Sequence, residues 1–159
     1  MSLELPPLGA RHSPAAERNR QPILQLLQQM LSGQGLALEI ASGTGQHAAW
    51  FAQGLPDWTW QPTDAQSDAF GSIRAWCAQA SVTNVREPLV LDVLAPQWPA
   101  VGSAFNKAFD AIFCANMLHI SPWATCGALM HGAARHLAPE GALIVYGPFL
   151  EPELTTSPG

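Results

Sequence analysis

A chain of 159 residues has room for one hydrophobic core, and 48% apolar against 12% charged residues supplies the material for it. Twelve acids against seven Lys and Arg leave a formal charge of −5. That balance excludes a sequence-independent grip on nucleic acid, which needs a basic surface.

In chain order, residues 1–12 hold two prolines and a glycine with no periodicity, and read as a flexible arm. Ser13-Pro14 starts a helix, with Ser as N-cap and Pro at the first helical position. Ile23, Leu27, Met30 and Leu31 share one apolar face of it, and Pro22 predicts a kink or split. Ser32 to Gly35 end the element. Leu36 onward runs apolar residues into Glu39, then into the small residues Ala41, Ser42, Gly43, Thr44 and Gly45, and resumes as a helix from Gln46. Strand, tight small-residue turn and helix make the first β-α unit of a nucleotide-binding sheet. Glycine lets a ligand approach backbone with no Cβ in the way. His47 stands at the turn-to-helix junction.

Gly54 to Asp57 form a turn, and Trp58 to Thr63 a second strand with Asp64 at its end. Ser67 to Ala80 read as a helix interrupted by Gly71. Val85 to Val93 form a third strand closing on Asp92, with Pro88 making its first half irregular. Pro96 to Asn106 are a poorly helical connection, and Phe109 to Cys114 a buried fourth strand. Ser121-Pro122 repeats the helix-start signal, opening a helix with Cys126, Leu129, Met130, Ala133 and Leu137 on one face. Ala138-Pro139-Glu140-Gly141 breaks it before a fifth strand, Ala142 to Tyr146. Apolar strands alternating with helices predict an α/β fold with a mainly parallel sheet covered on both faces.

Cys77, Cys114 and Cys126 are widely spaced without a C-x-x-C pair, so neither a disulfide framework nor a metal site is expected. With no positive-then-apolar leader and no run of membrane-spanning length, the expectation is a soluble, cytoplasmic protein with no membrane partner.

Glu39, the turn Ala41 to Gly45, Asp64, Asp92 and the Ala138 to Gly141 turn before strand five together resemble a class I S-adenosylmethionine-dependent methyltransferase. The segment S-P-A-A-E-R-N at Ser13 to Asn19 is similar, more narrowly, to the methyltransferase-like 26 group. The resemblance implies a three-layer Rossmann-like sheet in order 3-2-1-4-5 over residues 13–149, with the N-terminal helix as a lid and a polar tail at 150–159. The family sheet continues past strand five into a helix and antiparallel strands. Here these are absent from the sequence, implying a shortened form or a fragment, and an open strand-five edge that invites pairing with a second copy.

By the same resemblance the cofactor is S-adenosylmethionine and the acceptor a small molecule. Backbone at Ala41, Ser42, Gly43 and Gly45 surrounds its methionine part, with Glu39 at the amino end or ordering the loop and His47 as a pocket wall. Ala41 replaces the first family glycine, which fits if that position keeps ordinary backbone angles. Asp64 takes the ribose hydroxyls, and Asp92 with the Val93 backbone meets the adenine edge. Ala115, Asn116, Met117 and His119 close over the methionyl side, with His119 the candidate general base. Arg18 and Asn19 reach the cofactor carboxylate. Trp123 and the stretch Tyr146 to Phe149 border the substrate side.

Two other readings stay open on the residues alone. Gly43-x-Gly45-x-x-Ala48 also fits the dinucleotide fingerprint, with Asp64 19 residues beyond Gly45. That would make the chain an NAD(P)- or flavin-binding oxidoreductase. The other is a non-catalytic module that binds the cofactor or a partner.

Overall fold

A computed structural model describes residues 5–99, 102, 104–115 and 123–147. Their element order is α1 (Pro14–Met30), β1 (Gly35–Ile40), α2 (Gln46–Gly54), β2 (Trp58–Asp64), α3 (Phe70–Gln79), β3 (Leu89–Val90), β4 (Phe109–Ala115), α4 (Trp123–His136) and β5 (Leu137–Tyr146). The five strands form one sheet in the order β3-β2-β1-β4-β5, with every pairing parallel. This is the predicted order.

Successive side chains of a strand point to opposite faces, and β1 shows what that does here. Ala37 faces the core of α1 and α2, with Ile23, Leu24, Leu27, Phe51, Trp60 and Phe113. Leu38 and Ile40 face the core of α4, with Ile112, Cys114, Leu129 and Ala133. Phe51, Trp60 and Phe113 meet in tilted and edge-on contacts at 5.3–6.3 Å between centroids. Large rings in such contact carry much of a core's apolar burial.

The split expected at Pro22 does not occur, because α1 runs unbroken through Pro22. Burial of Ile23, Leu24 and Leu27 against α2 holds the helix together across the missing N–H. Its buried face also differs from the expected one: Leu24 is inside, and Met30 is 56% exposed. Likewise Met130 of α4 is largely exposed, while Leu129 and Ala133 are buried.

The third strand is shorter than the predicted Val85 to Val93, and two prolines explain why. Trp60 bonds toward this edge in both senses, donating its N–H to Asn84 and accepting from Arg86. Two residues on, Pro62 has no N–H for the same side, and Pro88 has none to return. The ladder lapses there, and the Gln61 amide fills the gap by donating to the carbonyls of Glu87 at 2.9 Å and Pro62 at 3.0 Å. Pairing resumes at Thr63–Leu89 and Asp64–Val90 only.

The Ala138 to Gly141 turn is likewise absorbed into β5 as an irregularity, between the pairs Phe109–Leu137 and Ala111–Ala142. Among the described residues no helix is long and apolar enough to cross a membrane.

Candidate functional site

Parallel strands all point their carboxyl ends the same way, so the loops after β1, β2, β3 and β4 gather at one edge of the sheet. The turn after β1 occupies its middle. Ala41, Gly43 and Gly45 have φ of 56°, 58° and 89°, so every second residue of the turn is left-handed. For Ala41 this overturns the expected ordinary backbone angles. A Cβ in that region costs roughly 1–2 kcal/mol, and the turn holds it regardless.

The two glycines serve different ends. A side chain at Gly43 would meet only the Ala41 carbonyl oxygen, at 4.0 Å, so its surface is free for a ligand to approach. At Gly45 a Cβ would run into the backbone of Ile73, so this glycine lets α3 close onto the turn.

The turn is held by β2. Ser42 donates its N–H to the Thr63 carbonyl at 2.8 Å, and the Ser42 hydroxyl accepts from the Thr63 N–H at 3.2 Å. The Thr63 hydroxyl donates to the Glu39 carbonyl at 2.6 Å. Gly43 donates its N–H to Asp64 Oδ2 at 2.9 Å, while Asp64 Oδ1 accepts from the Gln66 N–H at 2.9 Å. Each oxygen of Asp64 thus holds one main-chain donor. A carboxylate has about four lone-pair sites, so the group keeps accepting capacity toward the open side.

Glu39 is 2% exposed and accepts from the Trp60 indole N–H at 2.7 Å. Burial raises its carboxyl from 4.5 to about 7, against the pull of the Ser42 and Trp60 bonds and with the Asp64 charge adding to it. Its side chain is thus engaged with Ser42 of the turn and Trp60 of β2.

His47 leads into α2, stacked on Phe51 at 5.0 Å and edge-on to Phe113. Its Nε2 meets Asn19 Oδ1 of α1 at 2.7 Å. Burial, and secondarily the Arg20 charge, pulls its pKa down to about 4, so at neutral pH the ring is uncharged and donates this bond. Asn19 thereby joins the turn's helix, whereas Arg18 is exposed. Asp92 is exposed after β3, accepting from the Leu94 N–H at 2.9 Å, so its side chain caps its own turn. Val93 is buried, and its carbonyl accepts from the Trp98 indole. Ala115 ends β4 at the same edge. Asn116, Met117 and His119 lie outside the described residues, as do Pro148 and Phe149. Trp123 opens α4 at 87% exposure.

A family model described as "Protein of unknown function (DUF938)" matches residues 10–159. The chain belongs to the DUF938 family. Its fold is similar to that of an S-adenosylmethionine-dependent methyltransferase, SibL, in apo form, at 17% identity and a TM-score of 0.74, covering 90% of this chain and 39% of that one. An O-methyltransferase family protein from Burkholderia thailandensis matches at 19% identity and a TM-score of 0.66, covering 82% and 38%. Coclaurine N-methyltransferase, solved with N-methylheliamine and SAH, matches at 14% identity and a TM-score of 0.64, covering 85% and 38%. At such identities the likeness is one of fold, that of the Rossmann-like methyltransferases. The DUF938 chain spans about two-fifths of the length of these structures.

In this DUF938 chain the sequence reading passed over Thr63, Gln46 and Ser72, all at most 2% exposed and all polar. Thr63 stands directly before the strand-end acid, and Gln46 directly after the last glycine of the turn. Their types gave no signal, since Thr, Gln and Ser are ordinary surface residues until burial makes them bond.

Proposed function

We propose that the chain binds S-adenosylmethionine and transfers its methyl group to a small acceptor. The observation that carries this reading is the bond from the Gly43 N–H to Asp64 Oδ2, which sets an acid beside a turn surface free of Cβ. A cofactor with a ribose and an amino-acid arm fits that pairing: Asp64 would accept from ribose hydroxyls, and the turn would admit the arm. The bound sulfonium supplies an already activated methyl, so the residues' task is to hold and align. Glu39 orders the turn from beneath, and Asp92 with Val93 would border the base. His119 would take the acceptor's proton. The S-P-A-A-E-R-N segment supports the narrower methyltransferase-like 26 grouping.

Calorimetry tests the reading, with S-adenosylmethionine, S-adenosylhomocysteine and NAD titrated in parallel. The first two are expected to bind; binding of NAD alone would overturn the proposal. His119→Ala is expected to slow transfer by about a hundredfold, the contribution of a general base.

A further inference from the structure

The segment before α1 is bonded to the glycine turn through two side chains. Ser13 donates its N–H to Gln46 Oε1 at 2.6 Å, and the same oxygen accepts from the Thr44 hydroxyl at 2.9 Å. Arg11 donates its N–H to Ser72 Oγ at 2.8 Å, and that hydroxyl donates onward to the Thr44 carbonyl at 2.6 Å. The Arg11 carbonyl accepts from the Trp76 indole of α3 at 2.8 Å. Thr44 is thus held from both sides, at its hydroxyl through Gln46 and at its carbonyl through Ser72. Gln46 and Ser72 are each 2% exposed. Ser13 also caps α1 through its own hydroxyl, so one residue starts that helix and grips the turn.

We propose that Gln46 and Ser72 are positioning residues, which make residues 10–13 a latch that holds the glycine turn in its ligand-ready shape. The inference rests on the cofactor reading for its effect on affinity, and on the hydrogen bonds alone for its effect on the turn. A buried acceptor shared by two donors has no water to replace either, so removing it releases segment and turn together. Coupling of this kind is reciprocal: a ligand that steadies the turn also steadies residues 10–13.

The test compares wild type with Gln46→Leu, Ser72→Ala and Gln46→Glu by hydrogen exchange, and by calorimetry with S-adenosylhomocysteine. Gln46→Leu and Ser72→Ala are expected to speed exchange of the amides of residues 11, 13 and 42–45 without ligand. They should weaken product binding about tenfold, as loss of one or two buried hydrogen bonds does. Gln46→Glu keeps an acceptor at the first residue of α2, where a helix favours an acid, and is expected to recover part of what Gln46→Leu loses, short of wild type because its carboxylate is buried. In wild type, product should slow exchange at Arg11 and Ser13 as well as in the turn. Unchanged local exchange in a folded Ser72→Ala or Gln46→Leu chain would overturn the latch, as would unchanged affinity where wild type binds. If wild type takes no S-adenosylhomocysteine, the cofactor reading falls, and exchange in the free protein decides the latch by itself. Should one variant fail to fold, the other carries the comparison.

Discussion

Asp64 and Asp92 each follow a strand at the same edge of the sheet, yet their surroundings differ. Asp64 bonds across to another loop at Gly43 and forward to Gln66, within a corner where Ser42, Thr63 and Glu39 interlock. Asp92 bonds to the turn it begins and is exposed. The contrast follows from the strands behind them. Five residue pairs join β1 to β2, while β2 and β3 share only two because Pro62 and Pro88 interrupt the ladder. A strand-end acid becomes an organiser where its strand is locked to its neighbour, and a local cap where it is not.

Four experiments press on that contrast. The largest effect is expected from Gly45→Ala, which combines a φ of 89° with a clash against the Ile73 backbone. It should cost roughly 3 kcal/mol or more by urea denaturation. Gly102, in the connection between β3 and β4 with a φ of 91° and nothing within 4 Å of its missing side chain, should lose only about 1 kcal/mol on the same change. Equal losses would show that the close approach of Ile73 does not hold the Gly45 turn.

Next is Glu39. Folded, it keeps its proton up to about pH 7; unfolded, it releases it near 4.5. Between these values the folded state binds more protons, so this group's stability is complete below 4.5 and lost as pH rises through 7. Glu39→Gln removes the loss, and its stability relative to wild type should rise on the order of 2–3 kcal/mol from pH 5 to pH 8. Parallel stability curves would show that Glu39 is not held by burial. His47, with its folded pKa pulled down to about 4, acts in the opposite sense. Its contribution is complete above 6.5 and lost as pH falls through 4, so the two groups oppose each other across the acid range.

The acids themselves come third. Asp64→Ala removes two exposed main-chain bonds and should cost about 1–2 kcal/mol in stability, with a further 1–3 kcal/mol in cofactor affinity by calorimetry. Asp92→Ala should cost about 0.5–1 kcal/mol in stability, as loss of a cap does. A larger stability loss at Asp92 than at Asp64 would reverse the ranking of the corners. The smallest effect is a gain: Ala41→Gly relieves a left-handed alanine, less the added freedom of glycine when unfolded. A rise of about 0.5–1 kcal/mol in denaturant stability is expected, and a loss would mean that the Ala41 methyl contributes packing worth more than its strain.

Much of this molecule was legible in one dimension. Alternating apolar strands and helices, with glycine and proline punctuation, determined the α/β class and a mainly parallel sheet, while the strand order followed from the resemblance to the class I methyltransferases. The spacing of Glu39, the glycine turn, Asp64 and Asp92 marked the edge where a ligand would sit. These features are local, because periodicity and turn chemistry act over a few residues.

What only the tertiary structure decided came from residues far apart in the chain. Pro62 and Pro88 break the sheet because they fall opposite one another, and either could have sat harmlessly elsewhere. Pro22 does not break α1, because burial against α2 outweighs a lost bond. Ala41 is left-handed because Ser42 and Gly43 are tied to β2. Gln46, Ser72 and Thr63 become structural through burial, which leaves a polar group no partner but the protein. The residue types were in the sequence, but which groups lost access to water was settled only when the chain closed on itself.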